Sequence, residues 1–135
     1  MVVDTMVLAY ALLGEAEFHQ AAVEALDALP ELLAPESLRA ELTNVVWLWI
    51  RHRGVEPAAG IAMLRDAEAL VTEFVPVRNL WEDALVLAVK EGHSPYDTLF
   101  VALAQQRRTK MLTSDQAVLR RFPTWTVSLA GFVAR

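Results

Sequence analysis

Several features that are common in proteins are missing from this chain, and each absence removes a class of structure or chemistry. The 135 residues include no cysteine, which excludes a disulfide framework and a thiolate metal site. No apolar stretch approaches the roughly 20 residues that a membrane-spanning helix needs. No basic segment followed by an apolar one marks a secretory leader, and no phosphate-binding Gly-x-x-x-x-Gly-Lys-Ser/Thr pattern occurs. We therefore expect a cytoplasmic protein that does not enter a membrane.

Charge is distributed unevenly along the chain, although the net charge is only −5. Residues 1–37 contain seven acids and neither lysine nor arginine. Residues 105–121, in contrast, hold one acid, Asp115, and five cations: Arg107, Arg108, Lys110, Arg120 and Arg121. Taken alone, this basic cluster favours a solvated helix end, and it is also compatible with a surface that guides a phosphodiester substrate.

Short apolar runs alternate with helical periodicity from one end of the chain to the other. We predict strands at 2–4, 32–34, 71–77, 111–113 and 126–128, of which the third is short or at a sheet edge because it contains Pro76. Helices are predicted between them, at 6–13, 17–29, 38–52, 57–70, 80–91, 95–107 and 116–121. Such alternation predicts βαβ units, and therefore an α/β fold with a mostly parallel sheet.

The predicted helix at 38–52 is apolar nearly all round, beyond the one-sided stripe of a surface helix. Either it is buried centrally in its own domain, or residues such as Trp47 and Trp49 pack against another protein, since aromatics are enriched at interface cores. The hydrophobic fraction of 55% without a membrane span also favours contact with another chain.

Four carboxylates, Asp4, Glu41, Asp97 and Asp115, follow predicted strands or lie near predicted helix starts. Taken singly, each has an ordinary explanation as a helix cap or as a surface acid stabilised by the helix dipole. In an open parallel sheet, however, ligands bind outside the carboxyl ends of the strands. If all four converge there, their oxygens form a pocket suited to Mg²⁺ or Mn²⁺. The three histidines show no paired ligand spacing. His93 is close to Asp97 in sequence and could reach the site, but we favour its interpretation as a loop residue.

Four segments, taken in order, resemble PIN-domain ribonucleases, particularly the VapC-type toxins of toxin–antitoxin pairs. They are Val-Val-Asp-Thr at 2–5, Leu-Ala-Pro-Glu at 33–36 with Glu-Leu-Thr-Asn at 41–44, Ser-Pro-Tyr-Asp-Thr-Leu-Phe-Val-Ala-Leu-Ala at 94–104, and Leu-Thr-Ser-Asp at 112–115. The resemblance implies one PIN domain over residues 1–135, a three-layer sandwich in which helices flank a mostly parallel five-stranded sheet. One position departs from the family: Met6 stands where a small polar residue is usual.

The resemblance also implies a function. The protein would be a metal-dependent endoribonuclease that cleaves RNA phosphodiesters, the toxin of a type II toxin–antitoxin system, with a cognate antitoxin and a homodimeric state. Mg²⁺ or Mn²⁺ would be held by the catalytic residues Asp4, Glu41, Asp97 and Asp115. Supporting polar groups would be Thr5, Asn44, Thr113 and Ser114. The residues expected to guide the RNA are Arg107, Arg108, Lys110, Arg120 and Arg121.

Other classes fit the sequence less well. A phosphotransfer fold of receiver or phosphatase type also places an aspartate at a strand end, but the chain lacks an Asp-Asp pair after the first strand and a D-x-D motif. A catalytically inactive PIN-fold interaction module would have lost metal binding. Retention of all four acids counts against that alternative, and Met6 is the feature that favours it. DNA cleavage stays open, because a metal-activated water does not require the 2′-hydroxyl.

Overall fold

A single five-stranded sheet forms the centre of the computed structural model, which describes residues 1–14 and 17–134. The strand order is β3-β2-β1-β4-β5, and every neighbouring pair is parallel. All five strands are very short: β1 Val2–Val3, β2 Leu33–Pro35, β3 Glu73–Val75, β4 Met111–Thr113 and β5 Thr126–Ser128. The predicted α/β fold is confirmed, and the sheet is parallel throughout.

Helices cover both faces of the sheet. Parallel strands are joined by right-handed crossovers, so the helices before β3 lie on one face, and those between β3 and β5 lie on the other. The last helix, α8, packs against α2 on the first face. The helices are α1 Thr5–Leu12, α2 His19–Ala28, α3 Ser37–Arg53, α4 Pro57–Leu70, α5 Trp81–Glu91, α6 Pro95–Gln106, α7 Gln116–Arg121 and α8 Leu129–Val133.

The core lies where α6 crosses the central strands. Residues 99–104 of α6 are all buried, and α6 contacts β1, β2 and β4. The hydroxyl of Thr98, itself fully buried, donates to the carbonyl oxygen of Ala84 at 2.7 Å and so ties α6 to α5. Because α6 is fixed in this way, the position of its first turn is fixed as well.

The strand order creates a switch point beside β1. The chain moves from β1 outward to β2 and β3, and then returns to place β4 on the other side of β1. Open parallel sheets bind ligands at such a point, outside the carboxyl ends of the strands. Asp4 directly follows β1, and Asp115 comes two residues after β4. The topology therefore brings these two aspartates to the same end of the sheet.

Differences from the predicted elements are local. The third strand covers 73–75 rather than 71–77, because Val71 ends α4 and Pro76 starts a 3-10 turn at Val77–Asn79; it is an edge strand, as Pro76 predicted. Helix α8 was not predicted, since its five residues carry no usable periodicity. None of the helices in the described parts of the chain is long and apolar enough to span a membrane.

Helix α3 is less uniformly buried than its sequence indicates. Leu38, Leu42, Val46 and Trp49 form a buried stripe, whereas Trp47 on the same helix is 50% exposed. Trp49 is only 8% exposed and belongs to the protein's own core. An interface that involves Trp49 is therefore excluded by its burial.

Candidate active site

A cavity of about 410 Å³ opens at the carboxyl ends of β1 and β4, and all four predicted carboxylates line it. We call it the acid cavity. Its acids come from four separate elements: the end of β1, the second turn of α3, the first turn of α6 and the loop after β4. Within residues 1–14 and 17–134, the wall consists of Asp4, Thr5, Met6, Tyr10, Glu41, Asn44, Val45, Asp97, Ser114 and Asp115.

Asp4 occupies the N-cap position of α1, but its side chain makes no capping hydrogen bond. Its Oδ2 instead accepts from the hydroxyl of Thr113 at 2.6 Å, and the Thr113 oxygen accepts from the backbone N–H of Asp115 at 3.0 Å. Burial raises the pKa of Asp4 to about 6; the Thr113 hydrogen bond opposes this rise, while the charges of Asp97 and Asp115 add to it. Thr113 thus links two of the four acids.

Glu41 projects from α3 toward the same cavity. Its Oε2 accepts from the hydroxyl of Thr5 at 3.2 Å. Burial raises the pKa of Glu41 to about 7; the Thr5 hydrogen bond lowers it, and the charges of Asp4 and Asp97 raise it further. Asn44, three residues later on the same helix face, also lines the cavity.

Asp97 lies in the first turn of α6, and its carboxylate is held by His93. Ser94 caps this helix, with its Oγ accepting from Tyr96 N–H at 3.3 Å, but Asp97 does not complete a capping box. Its Oδ2 lies 2.8 Å from Nε2 of His93, which donates because an ionised carboxylate can only accept. The mostly buried His93 ring meets Phe122 edge-on, with centroids 5.5 Å apart.

The interpretation of His93 as a plain loop residue is therefore wrong. It lies in a loop, but its side chain contacts a site carboxylate. Gly92 has φ of +60° and ends α5 in a left-handed turn, which turns the chain so that residue 93 faces the start of α6. The spacing of four between His93 and Asp97 was the available signal, and it was discounted because no second histidine accompanied it.

Asp115 is both a helix cap and part of the cavity wall. Its Oδ1 accepts from the N–H groups of Ala117 at 2.8 Å and Val118 at 3.1 Å, so the capping explanation is correct. The cap uses one carboxylate oxygen. Since Asp115 also lines the acid cavity, its capping role and a ligand role are compatible.

The donor set fits a hard divalent cation by its chemistry. The cavity wall offers carboxylate, hydroxyl and amide oxygens, the ligands of Mg²⁺ and Mn²⁺. The raised pKa values of Asp4 and Glu41 reflect acids crowded in a buried space, a penalty that a cation would remove. Among the described residues, no three acid or histidine side chains are already gathered around one point. Binding an ion would therefore require the carboxylates to turn inward.

The residues of the basic cluster lie at both ends of strand β4. Arg107, Arg108 and Lys110 precede β4, at the end of the sheet opposite the acid cavity. Arg107 also forms a two-point ion pair with Glu73, at 2.9 and 2.7 Å. A role in guiding RNA to the acids is not supported for these three cations. Closeness to Asp115 in sequence was misleading, because the whole of β4 separates them from it.

Arg120 and Arg121 are better placed, since α7 starts at the cavity wall. Arg121 lies 4.0 Å from Glu91, at the end of α5, and the adjacent Phe122 contacts His93. Their predicted role in RNA binding stays a prediction.

Two residues of the cavity wall were missed by the sequence reasoning, Tyr10 and Val45. Tyr10 follows Met6 by four residues on α1, so both lie on the same helix face. That spacing could have identified Tyr10 once Met6 was singled out.

The fold and the cavity define an α/β protein of the PIN class. Residues 1–123 match the family model described as the PIN domain, and the chain belongs to that family. It is similar to a protein of Pyrobaculum aerophilum named Ribonuclease VapC3, with 30% identity over 138 residues that cover 91% of this chain and 95% of that protein. The predicted resemblance to PIN-domain and VapC-type proteins is thereby confirmed.

Two solved structures share the fold. PAE2754 from Pyrobaculum aerophilum superposes with a TM-score of 0.71 at 20% identity, covering 99% of this chain and 95% of that one. A toxin–antitoxin complex from Klebsiella pneumoniae gives a TM-score of 0.68 at 17% identity, with 95% and 96% covered. Each match extends over nearly all of both chains, so it includes the whole three-layer α/β sandwich.

Proposed function

We propose that this chain is a metal-dependent endoribonuclease, the toxin of a type II toxin–antitoxin pair, which acts in the cytoplasm as one PIN domain over residues 1–135. The observation that carries the proposal is the convergence of four carboxylates from four elements at the switch point of the sheet. The relative named as a ribonuclease supports RNA as the substrate. The likeness to a chain of a toxin–antitoxin complex supports an antitoxin as the partner.

Asp4 and Asp97 are the proposed principal metal ligands, and Glu41 and Asp115 complete the set. Bound Mg²⁺ or Mn²⁺ would supply a water of lowered pKa and offset the negative charge of the phosphate. Glu41 lines the same cavity and is suited to hold the attacking water or to accept its proton. The water oxygen bonds to phosphorus, the bond from phosphorus to the 3′ oxygen breaks, and that oxygen leaves with a proton.

The supporting side chains orient these acids. Thr113 donates to Asp4, and Thr5 donates to Glu41, so each hydroxyl restricts the rotation of one carboxylate. Asn44 and Ser114 line the cavity and add neutral oxygen groups.

An apolar face on α5 supports the proposed protein partners. Trp81, Leu85, Val86 and Val89 are between 58% and 77% exposed. Trp81 and Leu85 also line a groove of about 500 Å³ between α5 and α6, whose wall is mostly apolar and includes Leu99. Exposed apolar surface of this kind marks protein contact sites. We therefore place the contact with a second copy or with the antitoxin on α5 rather than on α3.

Cleavage of a single-stranded RNA of mixed sequence tests the proposed activity. The purified chain should cut the RNA with Mn²⁺ and lose activity with a chelator. Asp97→Asn should reduce the rate at least about 100-fold, since even partners of metal ligands contribute 10–100-fold. Asp66→Asn on the exposed surface of α4 is the matched control and should cut normally. Cleavage by Asp97→Asn at the control rate would contradict the assignment. Absence of both cleavage and Mn²⁺ binding would identify the alternative, an inactive PIN-fold module.

A further inference from the structure

A second cavity, of about 240 Å³, adjoins the acid cavity. Its wall consists of Met6, Tyr10, Glu17, Phe18, Trp49 and Arg53. Met6 and Tyr10 belong to both walls, so the two cavities are contiguous along α1. We call this space the aromatic cavity.

Aromatic rings dominate this wall. Of the six wall residues that belong to the described parts of the chain, three are aromatic, whereas the aromatic content of the whole chain is 8%. The rings of Tyr10 and Phe18 have centroids 5.2 Å apart and planes tilted by 46°. Phe18 is 39% exposed, whereas Trp49 is nearly buried. The cavity thus combines an accessible ring with a fixed aromatic base.

The fixed start of α2 holds Phe18 in place. The ring Nδ1 of His19 lies 2.9 Å from the carbonyl oxygen of Tyr10, a hydrogen bond that joins the start of α2 to α1. Phe18 is the residue directly before that helix. The Tyr10–Phe18 pair is therefore built into the packing of two helices.

Two opposite charges complete the wall, Glu17 and Arg53. Arg53 is at the carboxyl end of α3, and within residues 1–14 and 17–134 it forms no ion pair. Its guanidinium can therefore contact a phosphate, for which its planar donors are well matched. A carboxylate such as Glu17 accepts from the exocyclic amino group of a base.

We propose that the aromatic cavity is a base subsite, which binds an unstacked nucleobase next to the phosphodiester held at the acid cavity. This inference rests on the proposed ribonuclease function. Single-stranded RNA is recognised through splayed bases that stack on aromatic rings and are hydrogen-bonded at their edges. A nucleotide would use both parts of this wall at once. The face of its base would stack on the rings, the edge of the base would contact Glu17, and its phosphate would contact Arg53. Met6 forms the apolar ridge between phosphate and base.

The subsite is tested by measuring how tightly a short labelled single-stranded RNA binds to the Asp4→Asn chain. Fluorescence anisotropy measures the binding, with Mg²⁺ present. Adding Phe18→Leu removes the ring and keeps apolar bulk. The affinity should fall about tenfold, the size of one base–aromatic stack. Trp47→Leu, an exposed aromatic of α3 outside both cavities, is the matched control and should bind as the parent does.

Two further measurements keep the test independent of folding. Arg53→Gln changes an exposed side chain, and it should weaken binding and lower the slope of log affinity against log salt by about 1. A set of RNAs, each lacking the base at one position, should include one RNA whose binding affinity is not lowered further by Phe18→Leu. That coupling identifies the base that lies in the cavity.

Each failure has a separate signature. Equal RNA affinities of the parent, Phe18→Leu and Arg53→Gln chains would overturn the subsite even if the unsubstituted chain cleaves RNA. A Phe18→Leu chain that loses affinity for a cognate antitoxin while it binds RNA normally would overturn it too, and would assign the cavity to the protein partner. RNA that binds with Phe18-dependent affinity but is never cut would overturn the ribonuclease proposal and support the subsite.

Discussion

The acid cavity and the apolar groove on α5 have similar volumes but opposite chemistry. The first gathers four carboxylates around one cavity at the end of the sheet, and the second exposes large apolar side chains such as Trp81 and Leu85 to water. Both arrangements are unfavourable for an isolated chain, the first through charge repulsion and desolvation and the second through hydration of apolar surface. The chain therefore carries two faces that an added species would stabilise, a cation in one and a protein in the other.

Of the expected differences between the two regions, the largest is the loss of folding stability caused by ionised carboxylates in the acid cavity. The pKa of Asp4 is raised from an ordinary value of 3.8 to about 6, which corresponds to roughly 3 kcal/mol at most. Because the folded-state pKa is the higher one, the stability that Asp4 provides is complete below about pH 4 and is lost as the pH rises through 6. Without divalent cations, Asp4→Asn should therefore unfold at higher urea than the parent at pH 8, and the difference should vanish near pH 4.

With Mn²⁺ present, the parent should instead be more stable than Asp4→Asn at pH 8, since a bound ion stabilises the folded chain that binds it. Urea unfolding followed by circular dichroism measures both effects, and Asp66→Asn again serves as the exposed control. A parent chain that is more stable than Asp4→Asn at pH 8 in the presence of a chelator would show that ionised Asp4 does not destabilise the fold.

The apolar groove is tested by placing a charge on it. Leu85→Glu, at a position 58% exposed, should leave the fold intact and weaken self-association by about 2 kcal/mol or more, the size of an interface hot spot. Ile61→Glu on α4, 51% exposed, is the matched control and should associate as the parent does. Sedimentation equilibrium measures the difference. A parent chain that sediments as a monomer at micromolar concentration would contradict the dimer and leave the antitoxin as the partner of this face.

The smallest expected effect concerns His93. His93→Leu removes the donor to Asp97 and should lower Mn²⁺ affinity about tenfold, at the low end of losses caused by partners of metal ligands. His93→Gln keeps an N–H donor and should recover part of that affinity. Calorimetric titration with Mn²⁺ separates the two variants, and thermal unfolding checks that both are folded. Equal affinities would mean that His93 only packs against Phe122.

Sequence reasoning located the acids because two of them follow strands in the chain. Asp4 and Asp115 come after β1 and β4, and a parallel sheet brings the ends of its strands to one edge. The placement of Arg107 could not be predicted in the same way, because one short strand carries the chain to the opposite end of the sheet. Its partner Glu73 is 34 residues distant and becomes a neighbour because α6 packs against β2, the strand that pairs with β3. Distance in space is set by topology, which local patterns do not contain.

Burial on α3 and α5 was harder to predict for a different reason. Trp47 and Trp49 are equally apolar, yet one is half exposed and the other buried, because only the packing partners of a helix decide which face is covered. The α5 groove followed the same rule, because the sequence predicted the helix but not which of its faces stays uncovered. The aromatic cavity depends on a contact between α1 and the start of α2, which periodicity cannot reveal.

The hydroxyl of Thr113 determines where Asp4 can carry a proton. A hydroxyl has a single hydrogen, and since its oxygen accepts from Asp115 N–H, that hydrogen is directed to Oδ2 of Asp4. As long as this hydrogen bond is kept, a proton taken up by Asp4 is expected on Oδ1, the oxygen that Thr113 does not contact. Protonation removes the negative charge that would attract a cation, so a proton and a cation compete for the Asp4 carboxylate. Occupancy of the acid cavity by a metal should consequently decrease as the solution is acidified through pH 6, where Asp4 takes up its proton.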